Sequence, residues 1–148
     1  MLNKFAFMPN GKTHDTISLL MLPVVIVGGY LVLSNLYLIL ILSLSYLFSS
    51  FMFNGDLDAN TRHYNRWYVF KMVWIPYQLM FYHRSIFTHG ILIGTIVRIL
   101  YIGSIPYLLL YYGKGINVLD YLTINEMLVI FVGLELGNLC HSIPDWLT

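Results

Sequence analysis

The chain has 148 residues, of which 58% are hydrophobic and only 10% are charged, and its mean hydropathy is +0.71. A soluble domain carries roughly 25% charged residues because its surface must be hydrated. This chain cannot cover a globule with polar groups, so a lipid bilayer is its expected solvent. The formal net charge of +1 excludes the concentrated basic patch that a nucleic-acid-binding protein needs.

The single cysteine, Cys140, excludes an internal disulfide and a zinc site built from several thiolates. Any bound metal must then be held by imidazole and carboxylate groups. The length suits one domain, and no internal repeat or low-complexity linker divides residues 1–148. A cleaved signal peptide is not expected, because the polar stretch from Asn10 to Asp15 ends the N-terminal apolar run before it is long enough.

Four apolar runs predict membrane-spanning helices at residues 16–33, 36–53, 90–112 and 123–140. Each has about 18 residues or more, near the roughly 20 that cross the hydrocarbon core. Buried helices of a soluble core are the alternative, but a chain this short has no room for such a core. Residues 67–82 are short, rich in rings and interrupted by Pro76, which predicts an interfacial helix. The expected fold class is an all-α integral membrane bundle of about four transmembrane helices plus that interfacial helix.

The order of these spans predicts that ligand-type residues share one side of the membrane. Four crossings place residues 1–15, 54–89 and the tail after residue 140 together, opposite the turn at Ser34-Asn35 and residues 113–122. The first side receives all five histidines and several carboxylates: His14, Asp15, Asp56, Asp58, His63, His83, His89, His141 and Asp145. The other side has only Asp120 and, at its edge, Glu126.

The lysine and arginine positions predict the orientation. Those on the histidine-bearing side are Lys4, Lys12, Arg62, Arg66, Lys71 and Arg84, whereas the opposite side has Lys114. Arg98, within the third span, can snorkel toward the histidine-bearing side. The positive-inside rule therefore predicts that the site and both termini face the cytoplasm of an inner, plasma or thylakoid-type membrane, with membrane lipids as partners.

Two short motifs suggest metal ligands. In Asp56-Leu57-Asp58, two carboxylates follow a glycine and could bind one cation or bridge two, although solvated loops show the same pattern. His83 and His89 are six residues apart, too far for adjacent turns of one helix. They could still converge if two helix ends meet around residues 84–88, whereas ordinary interfacial histidines are the alternative.

The fourth span adds further candidates. His141 and Asp145 stand at i and i+4, one face of a helix, although Pro144 weakens that helix. Glu135 lies inside the span, where an ionisable group is costly and is a functional candidate by default.

Glycine pairs at the ends of the third and fourth spans predict close helix packing. Gly90 and Gly94 stand four residues apart, as do Gly133 and Gly137. We expect them to bring the third and fourth spans, and with them His89 and His141, together, although ordinary packing of membrane helices explains the pattern equally well.

Together these motifs predict a site for one or more divalent metal ions, zinc first, with manganese or iron as alternatives. The predicted ligands are His14, Asp56, Asp58, His83, His89, His141 and Asp145, with Asp15, His63 and Glu135 as secondary candidates.

Nearly the whole chain resembles a family of small, uncharacterised metal-binding membrane proteins that is common in cyanobacteria. The resemblance rests on Gly11-Lys12-Thr13-His14-Asp15, Gly55-Asp56-Leu57-Asp58, His83-Arg84-Ser85-Ile86-Phe87-Thr88-His89 and Gly133-Leu134-Glu135-Leu136-Gly137 followed by His141 and Asp145. Because such proteins begin near Met-Pro-x-Gly-Lys-Thr-His-Asp, Met8 is an alternative start to Met1. His63 falls where the family pattern has no expected ligand.

That family is similar in turn to membrane-bound metal-dependent hydrolases and, more distantly, to zinc-dependent phospholipase C and the fungal zinc nucleases. The likeness implies hydrolysis of a phosphoester. The distant enzymes also bind metal through the amine of a processed N-terminus. No signal for such processing is present here, so their three-zinc site is not expected.

The resulting hypothesis is a metal-dependent hydrolase acting at the cytoplasmic membrane face. Asp58 would orient or deprotonate a metal-bound water, and Arg84, helped by Arg62 or Arg66, would bind the phosphate. A rim of aromatic residues, Trp67, Trp74 and Tyr77, would suit a lipid substrate. The alternative is a non-catalytic protein with a structural, storage or sensing metal site. A transporter is disfavoured because the polar groups gather at one face, and the sequence leaves the oligomeric state open.

Overall fold

A computed structural model describes residues 11–83 and 85–147, without the side chains of 145–147. Arg84 and the alternative starts Met1 and Met8 lie outside the described residues. Within them every regular element is helical, which confirms the all-α class. The α-helices are α1 (Gly11–Val32), α2 (Leu36–Met52), α3 (Arg62–Asn65), α4 (Ile75–Met80), α5 (Ile86–His89), α6 (Ile93–Lys114) and α7 (Ile124–Leu147), with 3-10 helices at Gly55–Asp58, Tyr68–Trp74 and Val118–Tyr121.

Four segments are long and apolar enough to cross a membrane: Gly11–Val32, Leu36–Asp58, Ile93–Lys114 and Ile124–Pro144. Their large apolar side chains are widely exposed, among them Leu20, Leu31 and Leu109. Such exposure suits contact with lipid chains and supports membrane integration. Helix α1 includes residues 11–15, which precede the predicted apolar run, so His14 and Asp15 lie on the helix itself.

Helices α2 and α7 pack closely through glycine. A Cβ atom built on Gly133 would lie 2.7 Å from the Leu42 carbonyl oxygen, and one on Gly137 would lie 2.6 Å from the Tyr46 carbonyl oxygen. The predicted close approach is therefore present, but the partner of these glycines is α2 rather than the third span. His89 and His141 do lie close together, as expected, but Gly133 and Gly137 do not bring this about by packing on the third span. A hydrogen bond from the Ser49 hydroxyl to the Leu134 carbonyl oxygen, 2.5 Å long, joins the same two helices.

The aromatic segment differs from the predicted interfacial helix. Residues 68–74 form a 3-10 helix, and α4 follows with Pro76 in its first turn, where proline is well tolerated. Trp74 and Tyr77 have no exposed surface and pack with Phe53 and Leu57 in the core. These rings therefore support the turn that follows α2, and the predicted lipid-facing aromatic rim is wrong for Trp74 and Tyr77.

The predicted third span is broken at its start. Helix α5 ends at His89, and α6 begins only at Ile93, after the Leu92 backbone adopts a left-handed φ of 62°. The Glu135 side chain accepts a hydrogen bond from the Leu92 amide at 3.0 Å and so compensates the break. His89 consequently lies on the short helix α5 and not on the spanning helix α6. The turn between these two helices therefore sets its position.

Candidate metal centre

All five histidines lie at one end of the helix bundle. His14 lies near the start of α1, His63 on α3, His83 between α4 and α5, His89 at the end of α5 and His141 near the end of α7. The ring of His141 is central, with centroids 4.3 Å from His14, 4.9 Å from His63 and 6.5 Å from His89. The antiparallel course of the long helices brings these distant positions together.

Asp56, His89 and His141 form the centre of the cluster. Asp56 Oδ1 lies 3.2 Å from His141 Nε2 and 3.7 Å from His89 Nε2, and the three donor atoms lie within 4.8 Å of one another. A tetrahedral ion with bonds of 2.0–2.1 Å separates its ligand atoms by roughly 3.3 Å. The spacing around Asp56 therefore fits a divalent metal with little movement.

His63 lies directly beside this group. Its Nδ1 lies 3.4 Å from Asp56 Oδ2, and its side chain has no exposed surface. Among the described residues, neither of its ring nitrogens has a hydrogen-bond partner. A buried polar atom left this way costs roughly 1–3 kcal/mol. A metal ion at Asp56 would satisfy this imidazole, which makes His63 a candidate donor beside Asp56, His89 and His141.

Asp15 lies behind His63. Both oxygens of Asp15 accept hydrogen bonds from Arg66, at 3.0 and 2.5 Å, and Arg62 adds an ion pair at 2.9 Å. Asp15 Oδ1 is also 3.6 Å from His63 Nε2. A carboxylate behind an imidazole orients it toward a metal and sets its tautomer. Asp15 is thus placed to orient His63 while the two arginines neutralise its charge.

Asp58 occupies the corresponding place behind His89. Its Oδ1 lies 2.6 Å from His83 Nδ1, and its Oδ2 lies 3.5 Å from His89 Nδ1. Thr88 Oγ1, which donates to the Ser85 carbonyl oxygen at 3.1 Å, lies 3.0 Å from the same His89 nitrogen. Because these neighbours offer lone pairs, the proton is assigned to Nδ1. His89 Nε2 then carries the free lone pair on the side of Asp56, where it could bind a metal.

Without a metal, the neighbouring carboxylates favour the protonated form of the His89 imidazole. Burial lowers the pKa of His89, but hydrogen bonds and Coulombic attraction from Asp56 and Asp58 outweigh it. The result is a pKa raised from its ordinary 6.5 to about 9. A metal that binds at neutral pH must therefore displace a proton from this imidazole.

Gly55 makes room for the His89 ring. A Cβ atom at Gly55 would lie 2.8–2.9 Å from three atoms of that ring, closer than carbon atoms pack. Asn54 precedes it and caps the turn, since its side chain accepts a hydrogen bond from the Asp56 amide at 3.2 Å. The Asn54-Gly55 pair thereby places Asp56 and His89 side by side.

The remaining predicted residues are arranged more loosely. His83 is in contact with Asp58 but has 47% of its side chain exposed, and its ring centroid lies 5.7 Å from that of His89. Glu135 directs one carboxylate oxygen to the Leu92 amide. Asp145 lies on α7, one turn after His141, and the helix continues through Pro144. The Asp145 side chain and Arg84 are outside the described residues, so their roles stay predictions.

From its place in an apolar span, Arg98 is expected to snorkel toward the histidine-bearing side. Arg98 has no exposed surface, and its guanidinium donates a 2.6 Å hydrogen bond to the carbonyl oxygen of Thr88, the residue before His89. It therefore contacts the backbone next to His89 from inside the bundle instead of snorkelling to water. An arginine within an apolar span was the signal that could have identified it.

Comparison with known proteins identifies one family. Residues 9–148 match the family described as "Uncharacterized metal-binding protein (DUF2227)". No curated protein and no solved structure matches the chain significantly.

Proposed function

The chain belongs to this family of metal-binding proteins, and on that premise we propose that it is a membrane-embedded, metal-dependent hydrolase of a phosphoester. The observation that carries the proposal is the presence of two exposed polar side chains, Arg62 and His83, beside a buried cluster of metal donors. Each has 47% of its side chain exposed. A purely structural metal site needs neither.

Asp56, His63, His89 and His141 would hold the metal, with His14 as a further donor. The nitrogen and oxygen donors with no thiolate suit zinc first, and manganese or iron as alternatives. When bound, such a metal lowers the pKa of a coordinated water to about 7 and so supplies hydroxide at neutral pH. Asp56 retains 17% exposure, which leaves water a way to the cluster.

Arg62 would bind the phosphate group of the substrate. Arg66 is already committed, because it donates to both Asp15 oxygens and to the Phe51 carbonyl oxygen. Among the described residues Arg62 makes one ion pair, with Asp15, and 47% of its side chain is exposed. An arginine fork matches two phosphate oxygens. Arg84, next to His83 in the chain, would add a second positive charge.

His83 would act as the general acid that donates a proton to the leaving-group oxygen. Asp58 Oδ1 holds His83 Nδ1 at 2.6 Å, which fixes the ring and leaves Nε2 for the substrate. Asp58 itself has no exposed side-chain surface. We therefore assign the acid–base step to His83 and the orienting role to Asp58, in place of direct action of Asp58 on the water.

A lipid phosphoester at the cytoplasmic membrane face is the proposed substrate class. Three large apolar side chains flank His83 and are exposed: Tyr82, Ile86 and Phe87. Exposed apolar groups beside a polar site are typical of contact with a membrane interface. They take the place of the aromatic rim expected from Trp74 and Tyr77.

A second candidate function is a structural or sensing metal site. The donors come from separate segments, α1, the 55–58 turn, α3, α5 and α7, and His63, His89 and His141 are almost fully buried. A metal there would cross-link five parts of a small protein. This arrangement is typical of structural sites, whose coordination is closed.

One experiment separates the two functions. The detergent-purified protein is analysed for bound metal and assayed with bis-p-nitrophenyl phosphate and phospholipids, with and without chelator. We expect chelator-sensitive turnover that falls at least tenfold in Arg62→Ala while the metal content is unchanged. Lys71→Ala, a cation that contacts Tyr64 and Asn65 instead, is the matched control. Retained metal without turnover would favour the structural role, and absence of metal would contradict both functions.

A further inference from the structure

Two ionisable residues are buried inside the membrane-spanning helices behind the metal donors. Arg98 lies on α6 with no exposed surface, and Glu135 lies on α7 with 6% exposed. They attract each other electrostatically. Charged groups at this depth are costly and are kept where they have a specific task. Neither residue has a part in the hydrolysis proposed above.

Arg98 holds the backbone that leads into His89. Its NH1 donates to the Thr88 carbonyl oxygen at 2.6 Å, and its NH2 donates to Thr95 Oγ1 at 3.2 Å. The guanidinium also lies over the Phe53 ring, 5.6 Å from its centroid. Gly94 permits this approach, because a Cβ there would lie 2.7 Å from the same Thr88 oxygen.

Glu135 holds the backbone that leads out of His89. Its Oε1 accepts the Leu92 amide at 3.0 Å, at the residue whose φ is 62°. A leucine in this conformation is strained and needs support from its surroundings. Glu135 also stands six residues before His141 on α7. Its hydrogen bond therefore joins the helix that carries His141 to the turn that follows His89.

We infer that Arg98 and Glu135 are positioning residues for the metal centre. They hold residues 88–92 from two sides and set the distance of the His89 imidazole from Asp56 and His141. The hydrogen bond from the Arg98 guanidinium is charge-assisted, and such bonds are roughly twice as strong as neutral ones. The inference rests on the metal-binding part of the proposed function and not on catalysis.

The test is the binding of Co²⁺ to the detergent-purified, full-length protein, followed by its visible d–d absorption. Removing the side-chain partner, in Arg98→Met or Glu135→Leu, should weaken Co²⁺ binding about 10- to 100-fold and alter the spectrum. The conservative Glu135→Gln keeps an acceptor for Leu92, and Arg98→Lys keeps a donor for Thr88. Both should restore the wild-type spectrum and most of the affinity, which a general loss of stability would not explain.

Glu126→Leu is the matched control. Glu126 accepts a hydrogen bond from the Thr123 amide at 2.7 Å near the other end of α7. The substitution therefore removes a similar bond far from the histidines. Its Co²⁺ affinity should be unchanged. Wild-type affinity and spectrum in folded Arg98→Met and Glu135→Leu would overturn the inference. If those two variants do not fold, Thr95→Val decides, because it removes one anchor of Arg98: a threefold or greater loss supports the inference, and unchanged binding overturns it.

This test separates the inference from the hydrolase proposal. Intact Co²⁺ binding without phosphoester turnover would contradict catalysis alone. A wild-type protein that binds no Co²⁺ would overturn the metal centre and, with it, the positioning role.

Discussion

His63 and His83 have different proposed roles, the first in metal binding and the second in turnover. His63 is fully buried and lies 3.4 Å from Asp56, whereas His83 is half exposed and lies against Asp58. We therefore predict that His63→Ala weakens zinc binding about 10- to 100-fold, in the range seen when the surroundings of a metal are disturbed. His83→Ala should retain zinc and lose turnover. Competition with a chromophoric zinc chelator measures the zinc affinity of both variants, and the phosphoester assay measures their turnover. The reverse order of zinc affinities would contradict the assignment.

The sequence indicates which residue types form the site, but not which of these residues lie at its centre. Five histidines and a D-x-D pattern that the predicted topology gathers on one side of an apolar chain favour metal chemistry, because imidazole and carboxylate are common metal ligands. The central place of His63 depends on α3, a helix of only four residues, whose direction no hydrophobic periodicity encodes. Likewise, spacing alone cannot show that Asp58 faces the outer nitrogen of His89.

The pKa of His89 leads to a prediction for pH. A folded-state pKa of about 9, above the ordinary 6.5, contributes stability that is fully present below pH 6.5 and is lost as the pH rises toward 9. The chelated protein should therefore lose thermal stability across this interval. Zinc competes with the same proton, so its affinity should rise over the same range.

Thermal unfolding with and without zinc, followed from pH 6.5 to 9, checks this behaviour. The gap between the two melting temperatures should widen with pH. A chelated protein that becomes more stable over this interval would show that the carboxylates do not hold a proton on His89.

Among the elements, the pairing of α2 with α7 depends on two glycines. Alanine at Gly133 or Gly137 would bring a methyl group within 2.7 Å of the α2 backbone, which would separate the helices and cost about 1–3 kcal/mol. We predict a lower unfolding temperature in detergent for each variant. Gly28→Ala is the control, because nothing lies within 4 Å of its Cβ position. Equal stability of all three variants would contradict the close α2–α7 packing.

The sequence predicted the long elements well and the short ones poorly. Runs of apolar residues are a strong signal, so α1, α2, α6 and α7 match the four predicted spans apart from their ends. Nothing in the sequence predicts the break at residues 90–92, because Leu92 is apolar and its left-handed backbone depends on a hydrogen bond that its amide donates to Glu135 on another helix. Trp74 and Tyr77 were placed at the lipid interface because composition cannot distinguish a buried ring from an interfacial one.

For the whole molecule, the convergence of the histidines at one end of the bundle agrees with four crossings, and orientation remains a prediction. We expect a reporter fused at Ser34-Asn35 to be non-cytoplasmic and one fused after residue 147 to be cytoplasmic. Paired alkaline phosphatase and fluorescent-protein fusions in a bacterial host measure this. A cytoplasmic signal at Ser34-Asn35 would overturn both the topology and the sidedness of the site.

We expect Asp56, His63, His89 and His141 to bind a metal through nitrogen and oxygen donors alone. X-ray absorption spectroscopy of the zinc-loaded protein identifies these donors. We predict a first shell at about 2.0–2.1 Å with outer-shell scattering from about three imidazoles, and no sulfur shell near 2.3 Å. The imidazole signal should decrease in His63→Ala. A sulfur shell, or a protein that retains no zinc at all, would contradict the account.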